Sequence, residues 1–178
     1  MTEDRERRAR RFRSALGAFA TGVTIVTTRD AEGADVGLTA NSFNSVSLDP
    51  PMVLWSLARS ARSLPAFLAA SHFAVHVLAA DQEELSLRFA ARGADKFAGL
   101  ELERGAAHIP LLRGCSARFQ CRTAFRHEAG DHMIFVGEVE EFDHTDLPEL
   151  LFHRGRYSLA VPKASSPVPP PEFWEWTY

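Results

Sequence analysis

The nine residues Thr39–Ser47 include six small polar side chains: Thr39, Asn41, Ser42, Asn44, Ser45 and Ser47. Strand-like apolar runs flank them, Thr24–Val26 upstream and Met52–Trp55 downstream. Between core strands each such group needs a partner, or burying it costs roughly 1–3 kcal/mol. Two arrangements meet that need. A bound ligand with many donors and acceptors can lie along the stretch, or the hydroxyls can bond to nearby backbone. Asp49-Pro50-Pro51 then gives a rigid exit into the next strand, because proline fixes its own φ and restrains the residue before it.

Other chemistries are thinly represented. The chain has no G-x-S-x-G, no H-E-x-x-H and no paired Cys/His cluster. Gly17 and Gly22 have the spacing of a phosphate-binding P-loop, but Val23 stands where that loop requires lysine. No G-x-G-x-x-G follows a strand, so a nicotinamide dinucleotide would bind here without a Rossmann fold. His72 and His76 lie four apart on an expected strand, about 13 Å, too far to share a metal. Cys115 and Cys121 fall in one alternating segment, roughly 20 Å apart as strand, beyond disulfide reach; both read as buried thiols. Arg59, Ser60, Arg62 and Ser63 precede a short apolar helix with Leu64, Phe67 and Leu68. They suit either helix capping or an anion site.

These groups must be positioned by a scaffold whose class the composition bounds. The chain has 178 residues, 19.7 kDa, with 46% hydrophobic and 24% charged residues, which suits one globular domain. A net charge of −3 and a pI near 6.2 give no reason to expect nucleic acid or an acidic membrane as partner. No apolar run approaches the ~18 residues of a membrane span, and the charged start MTEDRERRARRFR is followed by no signal-type core. A cytoplasmic protein is expected.

Residues 4–19 are predicted helical, with Phe12, Ala15, Leu16 and Phe19 as an inward apolar stripe. Val23–Thr28 reads as a strand and Asp30–Asp35, with Gly33, as a turn. Asp81-Gln82-Glu83-Glu84 resembles a capping box, opening a helix with Leu85 and Phe89 inward. From Cys115 to Phe125 the residues alternate, Cys115, Ala117, Phe119, Cys121, Thr123 and Phe125 on one face. A turn at Gly130-Asp131 makes a hairpin with His132–Phe142. Short, mostly antiparallel strands with short helices between them predict a mainly β protein, a closed Greek-key barrel. From Lys163 the chain turns Pro/Ser-rich and ends in Phe173, Trp174, Trp176 and Tyr178. This aromatic tail is expected to dock on a surface. The division is therefore 1–162 as the domain and 163–178 as linker and tail.

Thr39-Ala40-Asn41-Ser42-Phe43 followed by Ser45–Pro51 (SVSLDPP) resembles the flavin-binding segment of the flavin reductase family, whose fold is the FMN-binding split barrel. Ala18–Thr27, Phe73–Leu78, Asp81-Gln82, Asp95-Lys96-Phe97, Gly130-Asp131-His132 and Gly155-Arg156-Tyr157 match further family elements in order, over roughly residues 12–160. The resemblance implies an NAD(P)H:flavin oxidoreductase that reduces FMN or FAD, with NADH or NADPH as co-substrate, for a separate monooxygenase. It also implies a homodimer. Thr39, Ala40, Asn41, Ser42 and Ser45 would meet the flavin, and Ser56, Leu57, Ser60 and Ser63 would continue along it. Lys96 would be the flavin-side cation, with Phe97 beside the cofactor. His132 would be the catalytic candidate on the nicotinamide side, joined by Arg156 and Tyr157. Two alternatives stand beside this: a flavoenzyme of the same fold that retains FMN and acts on another substrate, and a non-catalytic flavin-binding protein.

Overall fold

The computed structural model describes residues 2–93 and 95–161. The expected tail lies outside them, as does the junction at 162–163. Helix α1 spans Thr2–Leu16. The strands that follow are β1 (Thr21–Gly22), β2 (Thr24–Arg29), β3 (Asp35–Ala40), β4 (Asn44–Leu48) and β5 (Pro51–Ala58). Helix α2 (Leu64–Ala69), β6 (His72–Val77) and α3 (Glu83–Ala90) come next. They lead through β7 (Glu103–Arg104) and β8 (Pro110–Leu111) to the long hairpin β9 (Ala117–Ala129) and β10 (His132–His144). The hairpin β11 (Leu150–His153) and β12 (Arg156–Leu159) ends the described chain.

Seven strands form one antiparallel sheet in the order β3-β2-β6-β9-β10-β5-β4. The sheet curls into a split barrel, and it does not close by backbone pairing as expected: β3 and β4 are its two edges. Ser42, just past β3, bridges toward β5 instead. Its Oγ donates to the Ser56 carbonyl at 3.0 Å and accepts from the Ser56 amide at 2.9 Å. Inside, Trp55 stacks on Phe135 at 4.9 Å and meets the edges of Phe67 and Phe73 at 4.9 and 5.9 Å. A second cluster gathers Ile25, Leu78, Phe89, Leu112 and Leu150.

The β9–β10 hairpin follows its alternation only in part. Cys121 is buried on the core side and Phe119 packs against it. On the other face Arg118 pairs with Glu103 and Asp143, and Arg122 with Glu138 and Glu140. Cys115 precedes the strand. Phe125, expected on the same face as Cys121, is exposed while Cys121 is buried. The register shifts between Val136 and Gly137, so that Ala124 is an extra residue on β9 and the alternation flips beyond it. At Gly137 a Cβ would lie 2.5 Å from the Phe73 ring, so any side chain there would displace the core.

Three further expectations are corrected. Helix α1 ends at Leu16, earlier than residue 19. Its stripe buries nothing in the single chain, with Phe12, Leu16 and Phe19 being 64%, 58% and 74% exposed. The capping box at α3 does not form. Gln82 occupies the N-cap without a capping bond, because its amide is spent between the Ala79 amide and the Arg113 carbonyl. Ser63 occupies the N-cap of α2 but likewise makes no capping bond, since its backbone is already helical at φ −78° and ψ −10°. The two histidines of β6 take separate partners. His72 faces Glu140 at 3.3 Å, while His76 is fully buried between the Ile25 carbonyl and the Leu112 amide.

Candidate cofactor site

A cavity of about 1100 Å³ opens between β3, the end of β5 and helices α2 and α3. One wall is β3, which alternates as a strand must. Val36, Leu38 and Ala40 pack on the barrel core, and Gly37 and Thr39 turn toward α3. The Thr39 hydroxyl donates to the Ser86 carbonyl at 2.6 Å. At Gly37 a Cβ would lie 2.6 Å from Phe89 and 3.0 Å from Phe97, so the missing side chain is what lets these rings seat. Phe89 and Phe97 meet edge to face at 5.0 Å and form the apolar floor of that side.

Lys96 enters from the segment after α3. Its ammonium donates to the Phe89 carbonyl at 2.6 Å and to the Gly37 carbonyl at 3.1 Å. Burial lowers its pKa from the ordinary lysine value, while the carbonyl dipoles hold the charge at the cavity. The opposite wall comes from the end of β5 and the turn into α2: Leu57, Ser60, Arg62 and Ser63. Because Ser63 caps nothing, its hydroxyl is available to a ligand.

The expected site residues thus divide. Thr39, Leu57, Ser60, Ser63, Lys96 and Phe97 line one cavity although they come from distant parts of the chain. Ala40, Asn41, Ser42, Ser45 and Ser56 do not line it. Ala40 packs inward, Ser42 and Ser56 bond to each other, and Asn41 and Ser45 are exposed. Within the polar stretch Thr39 and Ser42 are satisfied by the protein's own backbone, and the stretch runs onto the edge strand β4 rather than between core strands.

His132, Arg156 and Tyr157 lie elsewhere. His132 opens β10 opposite Ala58, its Nδ1 2.7 Å from Asp131, whose carboxyl it holds below the usual range. The Arg59 amide donates to the Asp131 carbonyl at 2.9 Å, which fastens this turn to the end of β5 beside the cavity. Arg156 is exposed on β12. Tyr157 shares a hydrogen bond of 2.9 Å with Ser86. Sequence reasoning passed over several cavity residues: Asp30, Glu32 and Asp35 on the β2–β3 side, and Arg92 after α3. Asp35 is held by Arg104 and lies 3.8 Å from Arg29; its place in an ordinary turn gave no signal of this.

Comparison with known proteins decides the family. Residues 16–159 match the model of the flavin reductase like domain. The chain belongs to this family. It is 52% identical over 149 residues to the FMN reductase (NADH) SmoA of Agrobacterium fabrum, covering 84% of each chain. It is 43% identical to the reductase component of the flavin-dependent trigonelline monooxygenase of Acinetobacter baylyi, covering 86% of this chain but only 50% of that one. The chain spans about half the length of two of the curated relatives it matches. Among solved structures, nitrilotriacetate monooxygenase component B from Mycobacterium thermoresistibile superposes with a TM-score of 0.89. It is 35% identical, with 97% of this chain and 98% of that one covered. The Streptomyces globisporus NADH:FAD oxidoreductase SgcE6 superposes at 0.80 with 38% identity over 86% of this chain and 93% of that one.

Proposed function

We propose that this flavin reductase oxidises NADH to reduce FMN, and that it releases the reduced flavin to a separate oxygenase. The observation that carries the reading is the single cavity joining Thr39, Ser60, Ser63, Lys96 and Phe97. Its size and mixed lining suit a planar ring system with a polar tail. Thr39 and Leu57 stand on opposite walls, Phe89 and Phe97 supply apolar area, and Ser60, Arg62 and Ser63 offer donors to ribityl hydroxyls and phosphate. Lys96 sets a positive charge where reduction of the ring would add negative charge. A bound flavin supplies the hydride acceptor, N5. The protein supplies orientation and charge, and needs no nucleophile.

FMN and NADH are proposed because the 52%-identical relative is named an FMN reductase (NADH). FAD stands as a second reading, supported by the 38%-identical NADH:FAD oxidoreductase. A separate oxygenase is supported by relatives named as reductase components of monooxygenases. His132 is proposed for the nicotinamide side, since its turn is fastened beside the cavity. A homodimer belongs to the same proposal. The exposed Phe12, Leu16 and Phe19 of the α1 stretch are surface that a two-fold partner would cover. A cytoplasmic location is proposed with it, where nicotinamide nucleotides are at hand.

The test is anaerobic oxidation of NADH and of NADPH with FMN or FAD, together with the absorbance spectrum of the purified protein and light scattering. Turnover with free flavin and a colourless protein supports the shuttle. A shuttled flavin binds at roughly μM, near −8 kcal/mol, and a retained one far tighter. A yellow protein inactive with free flavin would favour an enzyme that keeps its FMN. Flavin binding without nicotinamide oxidation would leave a non-catalytic carrier.

A further inference from the structure

Strand β3 forms a cavity wall, yet it is an edge strand. Strand β2 pairs with it on one side and, among the described residues, no strand pairs with it on the other. With one row of backbone bonds, its position depends on what it docks against. Among the described residues it docks on α3 through two polar contacts. Thr39 Oγ1 donates to the Ser86 carbonyl at 2.6 Å, and the Lys96 ammonium bridges the Gly37 and Phe89 carbonyls.

Ser86 is fully buried at the middle of α3, and its side chain faces the other way along the relay. Its hydroxyl meets the phenol of Tyr157 at 2.9 Å. Tyr157 sits in β12 with its ring edge-on to Phe152 at 5.7 Å, and it does not line the cavity. One residue therefore joins the β11–β12 hairpin to the wall through consecutive hydrogen bonds spanning 71 and 47 positions of sequence.

We propose that Ser86 is a positioning residue that couples the β11–β12 hairpin to the cofactor wall, and that Tyr157 acts through Ser86 and Thr39 rather than by touching a nucleotide. The inference rests on the cavity being the flavin site. Tyr157→Phe deletes one oxygen and keeps the ring packed on Phe152; Ser86→Ala deletes the other partner. Each breaks the same link, so each should raise the flavin Kd by about 2- to 12-fold, the range of one hydrogen bond. The double variant should lose no more than either single one, because the two groups act as a unit.

The test measures three quantities for the wild type, both single variants and the double variant. These are the FMN Kd by fluorescence titration, the NADH KM, and hydrogen exchange of the β3 segment in flavin-free protein. The expected result is a raised Kd, an unchanged KM for NADH, and faster exchange at β3, all non-additive. A purely structural role would lower the melting temperature with Kd and β3 exchange unchanged, and would overturn the proposal. So would additive losses, or a selective rise in the NADH KM for Tyr157→Phe. If Ser86→Ala does not fold, Tyr157→Phe with Thr39→Val, which removes the donation to Ser86, carries the same comparison. Failure of the wild type to bind flavin would refute the cofactor reading instead, and faster β3 exchange would still establish the coupling.

Discussion

Replacing Lys96 with methionine separates two jobs that the structure assigns to one side chain. Methionine keeps the length and apolar stem and removes the ammonium. The lost bonds are those at 2.6 Å to the Phe89 carbonyl and 3.1 Å to the Gly37 carbonyl. A hydrogen bond from a charged donor contributes about 1.5–3 kcal/mol. Here water can reach the half-buried site and replace part of that, and the native ammonium already bears a burial cost that lowers its pKa. The net loss of stability from both bonds together should be about 1–3 kcal/mol. For a domain of this size that is roughly 2–12 °C in melting temperature, read by calorimetry without flavin. If the same charge also meets the cofactor, flavin affinity should fall about 10- to 150-fold, or ~1.5–3 kcal/mol, by titration. A melting temperature within about 1 °C of wild type would refute the two carbonyl bonds. A lowered melting temperature with unchanged flavin affinity would refute the charge contact and leave Lys96 as a strut between β3 and α3.

Acid should act through His76, whose pKa burial pushes down to about 4 from 6.5. The native state keeps the ring neutral while the unfolded chain protonates it, so stability present above pH 6.5 is lost as pH falls toward 4, by at most on the order of 3 kcal/mol. Urea midpoints at pH 7 and pH 5 check this; His76→Gln should show a shallower pH dependence than wild type, and an identical one would refute it. Burial pushes the Cys115 and Cys121 thiols up to about 11 and 12, so a thiol reagent at pH 8 should label them only in denaturant. Rapid labelling of the native protein would contradict the packing. His132→Ala should raise the NADH KM and leave flavin affinity nearly intact in steady-state and titration measurements. Equal loss of both would assign His132 to the hairpin turn it shares with Asp131.

What the sequence discloses here depends on how locally each feature is determined. The β9–β10 hairpin is legible because alternation and a Gly-Asp turn are properties of neighbouring residues, and β10 does begin at His132. The turn at Gly33 is legible for the same reason, with its φ of 84°. The bulge at Ala124 is not, since it arises from the partner strand and from the room that Phe73 takes beside Gly137. Capping signals misled at both α2 and α3. A serine or glutamine in the right place caps a helix only if nothing else engages it, and Gln82 is engaged by Ala79 and Arg113. Of the residues named by resemblance, six line the cavity; the strand and helices around it had local signatures, but their meeting at one cavity did not. The bonds that Thr39 and Lys96 make go to the carbonyl oxygens of Ser86 and Phe89, which every residue has, so no pattern of side chains could announce those two contacts.

The polar stretch after Gly37 takes its meaning from the gap in the sheet. A barrel closed by a continuous ladder would leave no opening between β3 and β5, and its hydroxyls would have had no structural work. Here the ladder stops at two edges, and Ser42 spans the gap by bonding both backbone groups of Ser56. Thr39 spans the other side by bonding α3. The backbone-bonding reading of the stretch therefore holds at Thr39 and Ser42. Thr39 and Ser42 have hydroxyls spent on backbone, and through those bonds they keep open the space that a ligand needs. The donors left for that ligand are then found not in the stretch itself but across the cavity, at Ser60, Arg62 and Ser63. The split in the barrel and the cavity have a common origin: one edge of β3 that no described strand pairs with, held in place by side chains.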